Sequence, residues 1–235
     1  MPPMSALRLL PFEIRPGAEN MAADEALFES AERGVASLRF YGWSEPTLTL
    51  GYFQPAEVAT LGLPWVRRST GGEAIVHHRE LTYALALPHA KEWRIDEPWT
   101  CRVHHLVRDA LAELGIESRA VICGEERRLG PVLCFLNQTA GDLLIRGSKV
   151  AGSAQRKRHG ALLQHGSILL VRSEHAPELP GIGDLGGVPV AAEDLAARLA
   201  AKFETVPGDW TESERERVAA IRVEKYDNPA WNRKR

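Results

Sequence analysis

Apolar positions along the chain fall into short runs broken by turn residues, and their spacing predicts alternating strands and helices. Leu7 to Ile14 reads as a strand ended by Pro16-Gly17, and Asn20 is placed to cap a helix running to Arg33 before Gly34. Ser37 to Gly42, Thr47 to Gly51 and Trp65 to Arg68 have the β-branched, aromatic and leucine content of strands. Ala74 to His77 and the apolar run Leu81 to Leu87, ended by Pro88, continue the series. Cys101 to Leu114 carries Val103, Leu106, Val107, Ala110, Leu111 and Leu114 at helical spacing before Gly115. Further on, Leu133 to Leu136, Asp142 to Arg146, Ser148 to Ala154 and His165 to Val171 read as strands. Gly147-Ser148 is a hairpin turn and Arg156 to Gly160 a polar loop. Ala192 to Phe203 and Thr211 to Tyr226 read as helices. The pattern predicts one mixed α/β (α+β) domain over 1–235, with β-sheets flanked by helices and a loosely packed helical end; no repeat or linker divides it.

Composition narrows the function classes. With 235 residues the chain is long enough for a substantial core. Its 29 basic and 31 acidic residues give a net charge of −2, which argues against bulk-charge binding to nucleic acid or to a membrane surface. Three unevenly spaced cysteines make no disulfide framework, and the N-terminal stretch lacks the pattern of a signal peptide, so the expected compartment is the cytoplasm.

Several segments carry candidate chemistry. Arg67-Arg68-Ser69-Thr70-Gly71-Gly72 combines planar guanidinium donors with paired glycines whose backbone can approach a ligand; otherwise it is a tight turn with solvated arginines. It is neither a Walker loop nor GxGxxG. Lys149, followed by Gly152, Ser153 and Ala154, is suited to present an ammonium to an acyl carbonyl, or is an ordinary strand lysine. Cys134 is either a small core residue or, beside Lys149 or His77, a nucleophile. No metal is expected: Cys101, His104 and His105 lie on one helix without partners at finger-like spacing, and His77 and His78 point to opposite faces of a strand. Arg156 to His159 is a solvated loop, or a contact for a phosphate or an acidic partner.

Taken in order, the segments resemble the biotin/lipoate protein ligase catalytic domain, in its lipoate-protein ligase A and octanoyltransferase branch. Carrying the resemblance are Asn20-Met-Ala-Ala-Asp-Glu25, Arg39 to Trp43, Gly51 to Gln54, Arg67-Arg-Ser-Thr-Gly-Gly-Glu-Ala-Ile-Val-His77, Lys149-Val-Ala-Gly-Ser-Ala-Gln155, His165-Gly-Ser-Ile-Leu169 and Tyr226 to Asn232. The resemblance implies transfer of an octanoyl or lipoyl group to a lysine of a lipoyl-carrier domain, the glycine cleavage H protein or an E2 subunit. It also implies a catalytic domain without a C-terminal accessory domain. Glu80-Leu-Thr-Tyr83 and Cys134-Phe135 look like the cysteine-dependent octanoyltransferases, in which a thiolate takes the acyl group from acyl carrier protein without ATP. By carry-over Cys134 and Lys149 are catalytic. Arg67, Arg68, Ser69, Thr70, Gly71, Gly72, His77, Gly152, Ser153, Ala154, His165 and Gly166 then line the substrate site. The rivals are a lipoate ligase using free lipoate, ATP and Mg²⁺, an amidotransferase between lipoyl domains, and an inactive acyl- or carrier-binding domain.

Overall fold

A computed structural model describes residues 7–130 and 132–235. The N-terminal stretch contributes two short strands, β1 (Leu7–Leu9) and β2 (Glu13–Arg15), rather than one, both parallel to β3 (Ser37–Trp43). Helix α1 (Gly17–Glu32) lies between β2 and β3. It starts after Pro16, not at Asn20. Asn20 is buried inside the helix, where its Nδ2 donates to Arg15 O and Gly42 O and its Oδ1 accepts from Arg39. The proline's fixed φ suits helix entry, and Asn20 instead pins helix to sheet.

The chain then forms β4 (Thr47–Leu50), β5 (Trp65–Arg67) and β6 (Ile75–His77), a small sheet in the order β5-β4-β6. β7 (Glu80–Pro88) returns to the main sheet, followed by α2 (Trp99–Ala112), β8 (Arg119–Ala120), and the two-residue strands β9 (Arg127–Arg128) and β10 (Asn137–Gln138). After β11 (Leu143–Ile145), the long hairpin of β12 (Ser148–Arg158) and β13 (Ala161–Leu169) follows. Arg156 to Gly160 is therefore mostly strand. Only His159 and Gly160 turn, with φ of 44° and 74°, the left-handed pair a tight hairpin demands. The chain closes with α3 (Ile182–Gly186), α4 (Ala192–Ala200), β14 (Thr205–Pro207), α5 (Glu212–Ile221), a π turn at Arg222–Tyr226 and α6 (Pro229–Asn232).

The main sheet runs β14-β1-β3-β7-β13-β12-β11-β8, with β2 also on β3. Alternation along β7 sorts its two faces. Leu81, Tyr83, Leu85 and Leu87 pack with Val103, Val107 and Leu111 of α2 and Leu195 and Leu199 of α4, while Ala84 and Ala86 admit α1 closely on the other side. Each of those leucines, removed from water, contributes roughly 1.5–3 kcal/mol. A third cluster joins Leu48, Leu50, Ala74 and Val76 of the small sheet to Leu133 and Phe135.

Cys134 was expected on a strand but opens a one-turn 3₁₀ segment, Cys134–Leu136. Among the described residues Leu133 forms a β-bridge with Ala74 alone, and the buried Phe135 packs in the third cluster. The helical end packs firmly. Tyr226 is buried, Trp231 Nε1 donates to Arg67 O at 2.8 Å, and Asn232 Oδ1 accepts from Arg67 N at 2.9 Å.

Candidate active site

A cavity lies between the small sheet and the α1 side of β7, β13 and β12. The paired glycines do what their sequence suggests. A Cβ on Gly51 would lie 1.8 Å from Gly72 O, and Gly72 adopts φ +88°, so two backbone segments cross here at a separation only glycine permits.

Cys134 lines the cavity, and the buried Lys149 stands behind it, outside the lining residues. Lys149 Nζ stands 3.7 Å from Cys134 Sγ and donates to Asn137 O at 3.1 Å and Cys134 O at 3.4 Å. Its charge is balanced by Asp142 Oδ2 at 2.7 Å, with both side chains almost wholly buried. That carboxylate is in turn fixed by Thr139, whose N and Oγ1 donate to it at 2.7 and 3.0 Å. Gly152 makes the space: a Cβ there would lie 2.5 Å from Lys149 Cε and 2.9 Å from Nζ. The ammonium thus sits on a rigid strand, held by three acceptors, with the sulfur in reach.

Arg68, fully buried, borders the same cavity. Its guanidinium donates to Thr49 O and Oγ1 at 3.2 and 3.1 Å, and to the carbonyls of Gly71 and Glu73. Burial pulls its pKa down to about 10, partly offset by the nearby Cys134 sulfur, and it stays cationic at neutral pH.

Two histidines line the cavity in fixed tautomers. His77 donates from Nδ1 to Glu80 Oε1 at 2.6 Å and accepts at Nε2 from Thr49 Oγ1 at 2.8 Å, whose own acceptor role is taken up by Arg68. Its ring stacks on Trp43 at 3.9 Å. Burial lowers its pKa despite the Glu80 carboxylate, so it is neutral at pH 7. His165 donates from Nδ1 to Asp24 Oδ2 at 2.9 Å and accepts at Nε2 from Thr70 at 2.6 Å. Gly166 and Ala154 line the same wall. Ser153 also lines it, but its hydroxyl donates to His104 Nε2 and accepts from Tyr83, both at 2.5 Å. His104 donates in turn to Gly141 O, so it belongs to this buried network rather than to a group with Cys101.

Arg67 is the clearest case of a sequence candidate placed elsewhere. Its guanidinium turns away from the cavity to the carbonyls of Gly51, Gln54 and Asn232, tying the small sheet to the C-terminal segment. Ser69 and Gly71 likewise shape the loop from outside: Ser69 O accepts from Arg156, and Gly71 faces Phe53. Sequence reading gave no role to Asp24, Thr49, Glu80, Asn137 or Asp142. Asp24 and Glu80 sit inside quoted motifs. Asp142 has no sequence signal beyond its place across a hairpin from Lys149.

Among the described residues no helix is long and apolar enough to cross a membrane. The profile of the family described as the Lipoyl protein ligase A/B catalytic domain matches residues 16–178. The chain is 38% identical to the octanoyltransferase LipM of Symbiobacterium thermophilum, covering 88% of this chain and 81% of that protein. It is 33% identical to the LipM octanoyltransferase of Kyrpidia tusciae, over 97% and 99%. In fold it is similar to a lipoate-protein ligase A crystallised with ATP (TM-score 0.78, 24% identity, 97% and 98% covered). It is also similar to the bipartite lipoate protein ligase of Thermoplasma acidophilum (TM-score 0.73, 22% identity, 97% and 96% covered). From the matched motifs, the shared architecture and these relatives, the chain belongs to the lipoyl protein ligase A/B catalytic domain family.

Proposed function

We propose that the protein is an octanoyltransferase of protein lipoylation that works through an acyl thioester on Cys134. The observation that carries this reading is Lys149 Nζ held 3.7 Å from the sulfur of Cys134, which lines the cavity, in a chain related to LipM octanoyltransferases. In the first step the sulfur attacks the carbonyl carbon of an octanoyl thioester on acyl carrier protein, and the carrier's thiol leaves. In the second, the amine of a lysine on a lipoyl domain attacks the Cys134 thioester, the C–S bond breaks, and an amide forms. Each step passes through a tetrahedral oxyanion, and the ammonium of Lys149 supplies a preorganised positive charge beside it. The thioester is already activated, so neither step needs ATP. Met21, Ile75 and Ala154 give the cavity apolar surface for the acyl chain, with Arg68 and His77 fixing its polar wall.

The test is an intact mass after incubation with octanoyl-acyl carrier protein, without ATP and with chelator. The expected result is one octanoyl group per chain, absent in Cys134→Ser and discharged by a lipoyl domain. Absence of the adduct, with amide product appearing only when lipoate, ATP and Mg²⁺ are supplied, would replace this reading with a ligase.

A further inference from the structure

His77 faces the cavity, and the adjacent His78 faces the other way, toward the turn that follows β13. There His78 Nδ1 stands 3.0 Å from Ser173 Oγ and 3.7 Å from Glu174 Oε2, and its ring centroid is 5.5 Å from that of His175. One ligand atom from each of His78, Glu174 and His175 lies within 4.8 Å of the other two. The two turns are tied by main chain: Leu170 N and Val171 N both donate to Arg79 O, and Ser173 pairs with Ala176. His175 N donates to Ser173 Oγ, which tightens the second turn further. The three side chains are therefore brought together by the backbone and not by chance extension into solvent.

We propose that His78, Glu174 and His175 form a binding site for a single divalent transition-metal ion of the zinc type, separate from the acyl cavity. Two imidazole nitrogens and one carboxylate oxygen are a donor set that suits borderline divalent ions and leaves further positions for water. Bonds of about 2.0–2.1 Å in a tetrahedron space the ligand atoms roughly 3.4 Å apart. The present spacing thus has to close by about 1–1.5 Å, within reach of a rotamer change at Glu174, which is 60% exposed. His78 is the fixed member, three-quarters buried and held at Nδ1 by Ser173 Oγ. The metal takes the place of the Ser173 hydroxyl at Nδ1. One group opposes binding: Arg79 NH2 lies 3.7 Å from Glu174 Oε2 and competes for the carboxylate. Arg79 is half exposed, so it can swing out. When bound, the ion joins the β6–β7 turn to the turn after β13, directly behind the His77 wall.

That competition makes the test specific. Tag-free protein is stripped with chelator, dialysed, and titrated with Zn²⁺ by calorimetry, and with Co²⁺ to read coordination from its visible absorption. The expected result is one ion per chain, with His78→Gln and His175→Gln each weakening binding about tenfold or more. Arg79→Ala should tighten it severalfold, which adventitious binding to the cysteines would not show. Should His78→Gln fail to fold, His175→Gln and Glu174→Gln on the open turn carry the same test. No stoichiometric binding, or equal affinity in the wild type and the His78→Gln/His175→Gln double variant, overturns the proposal.

Discussion

Gly152→Ala separates the position of Lys149 from the integrity of the fold. The added Cβ would lie 2.5 Å from Lys149 Cε and 2.9 Å from Nζ, with Asp142 Oδ1 at 3.3 Å. Carbon–carbon contact relaxes only near 3.5 Å, so the end of the lysine has to move by about 1 Å. The atoms that yield belong to the tip of a flexible side chain, while the strand keeps its pairing of Gly152 with Ser167. Overpacking of this kind destabilises by about 1–3 kcal/mol, which for a chain of this size lowers Tm by roughly 2–12 °C. Function should suffer more. The ammonium leaves a cradle of contacts at 2.7, 3.1 and 3.4 Å, and misplacement of about 1 Å slows a positioned reaction on the order of 10²-fold. The assay is the rate of octanoyl-Cys134 formation by quenched intact mass, alongside thermal melting. A folded Gly152→Ala variant that acylates at the wild-type rate would refute the claim that Lys149 works through its fixed position.

Three further outcomes follow from the same contacts. Asp142→Asn leaves a buried ammonium without its counter-charge and should lower unfolding free energy by about 3–5 kcal/mol in urea titration; Asp142→Asn/Lys149→Met should regain much of that stability and no acyl transfer. Glu73, whose carboxylate accepts from Asn137 Nδ2 and lies 3.5 Å from Arg128, links the glycine loop to the segment bearing Cys134. Glu73→Gln should slow acylation of Cys134 while leaving stability within about 1 kcal/mol, since Arg128 is exposed; an unchanged rate removes Glu73 from the positioning of that segment. Stability should also fall in two acid windows. His77, His78 and His104 have pKa values lowered chiefly by burial, so the unfolded chain binds their protons first, and stability, complete above about pH 6.5, falls as pH drops below it. Burial alone would raise Glu214, but hydrogen bonds from Arg8, Thr211 and Ser30 hold it at about 2, so its contribution is present above pH 4.5 and is lost toward pH 2. Denaturation midpoints from pH 8 to 2 should show both declines, with Glu214→Gln flattening only the second.

Residues whose role is set by local chemistry were the legible ones. The strand alternation at β7, the glycine crossing at Gly72 and the opposed faces of His77 and His78 all follow from spacing along one segment. Asn20 illustrates the limit: its side chain is a good cap, yet Pro16 already starts the helix, and the partners of Asn20, Gly42 and Arg39, come from a later strand. Arg67 and Arg68 are chemically identical neighbours on one edge; alternation sends them to opposite faces, and the carbonyls of Gly51, Gln54 and Asn232 decide that Arg67 takes the side away from the cavity. Cys134 looked like a strand residue because Leu133 and Phe135 are apolar. The 3₁₀ turn arises because Phe135 belongs to a core cluster shared with the small sheet. Asp142 was invisible for the same reason, since its meaning is Lys149, brought back across a hairpin.

The tautomers of the site bear on where the proton of the acceptor amine goes. His77 and His165 each have both nitrogens engaged, one as donor to a carboxylate and the other as acceptor from a threonine. His104 is engaged in the same way by Gly141 O and Ser153. For any of them to act as a base, a buried hydrogen bond must be surrendered, leaving a hydroxyl without a partner at about 1–3 kcal/mol. Lys149 is paired with Asp142 and donates to two carbonyls, so its N–H bonds are already committed. In the proposed second step the carbonyl oxygen takes the negative charge as the amine adds, and the departing sulfur of Cys134 takes it as the tetrahedral intermediate collapses. The geometry therefore favours transfer of the amine proton to that sulfur as the C–S bond breaks, which returns the cysteine to its starting state and leaves the histidine network undisturbed. His77→Gln, which keeps a side-chain donor and an acceptor near Glu80 and Thr49, should accordingly retain acyl transfer within about tenfold, below the 10²–10⁴-fold of a lost general base. A larger fall in the transfer step, with Cys134 acylation intact, would reassign the proton to His77.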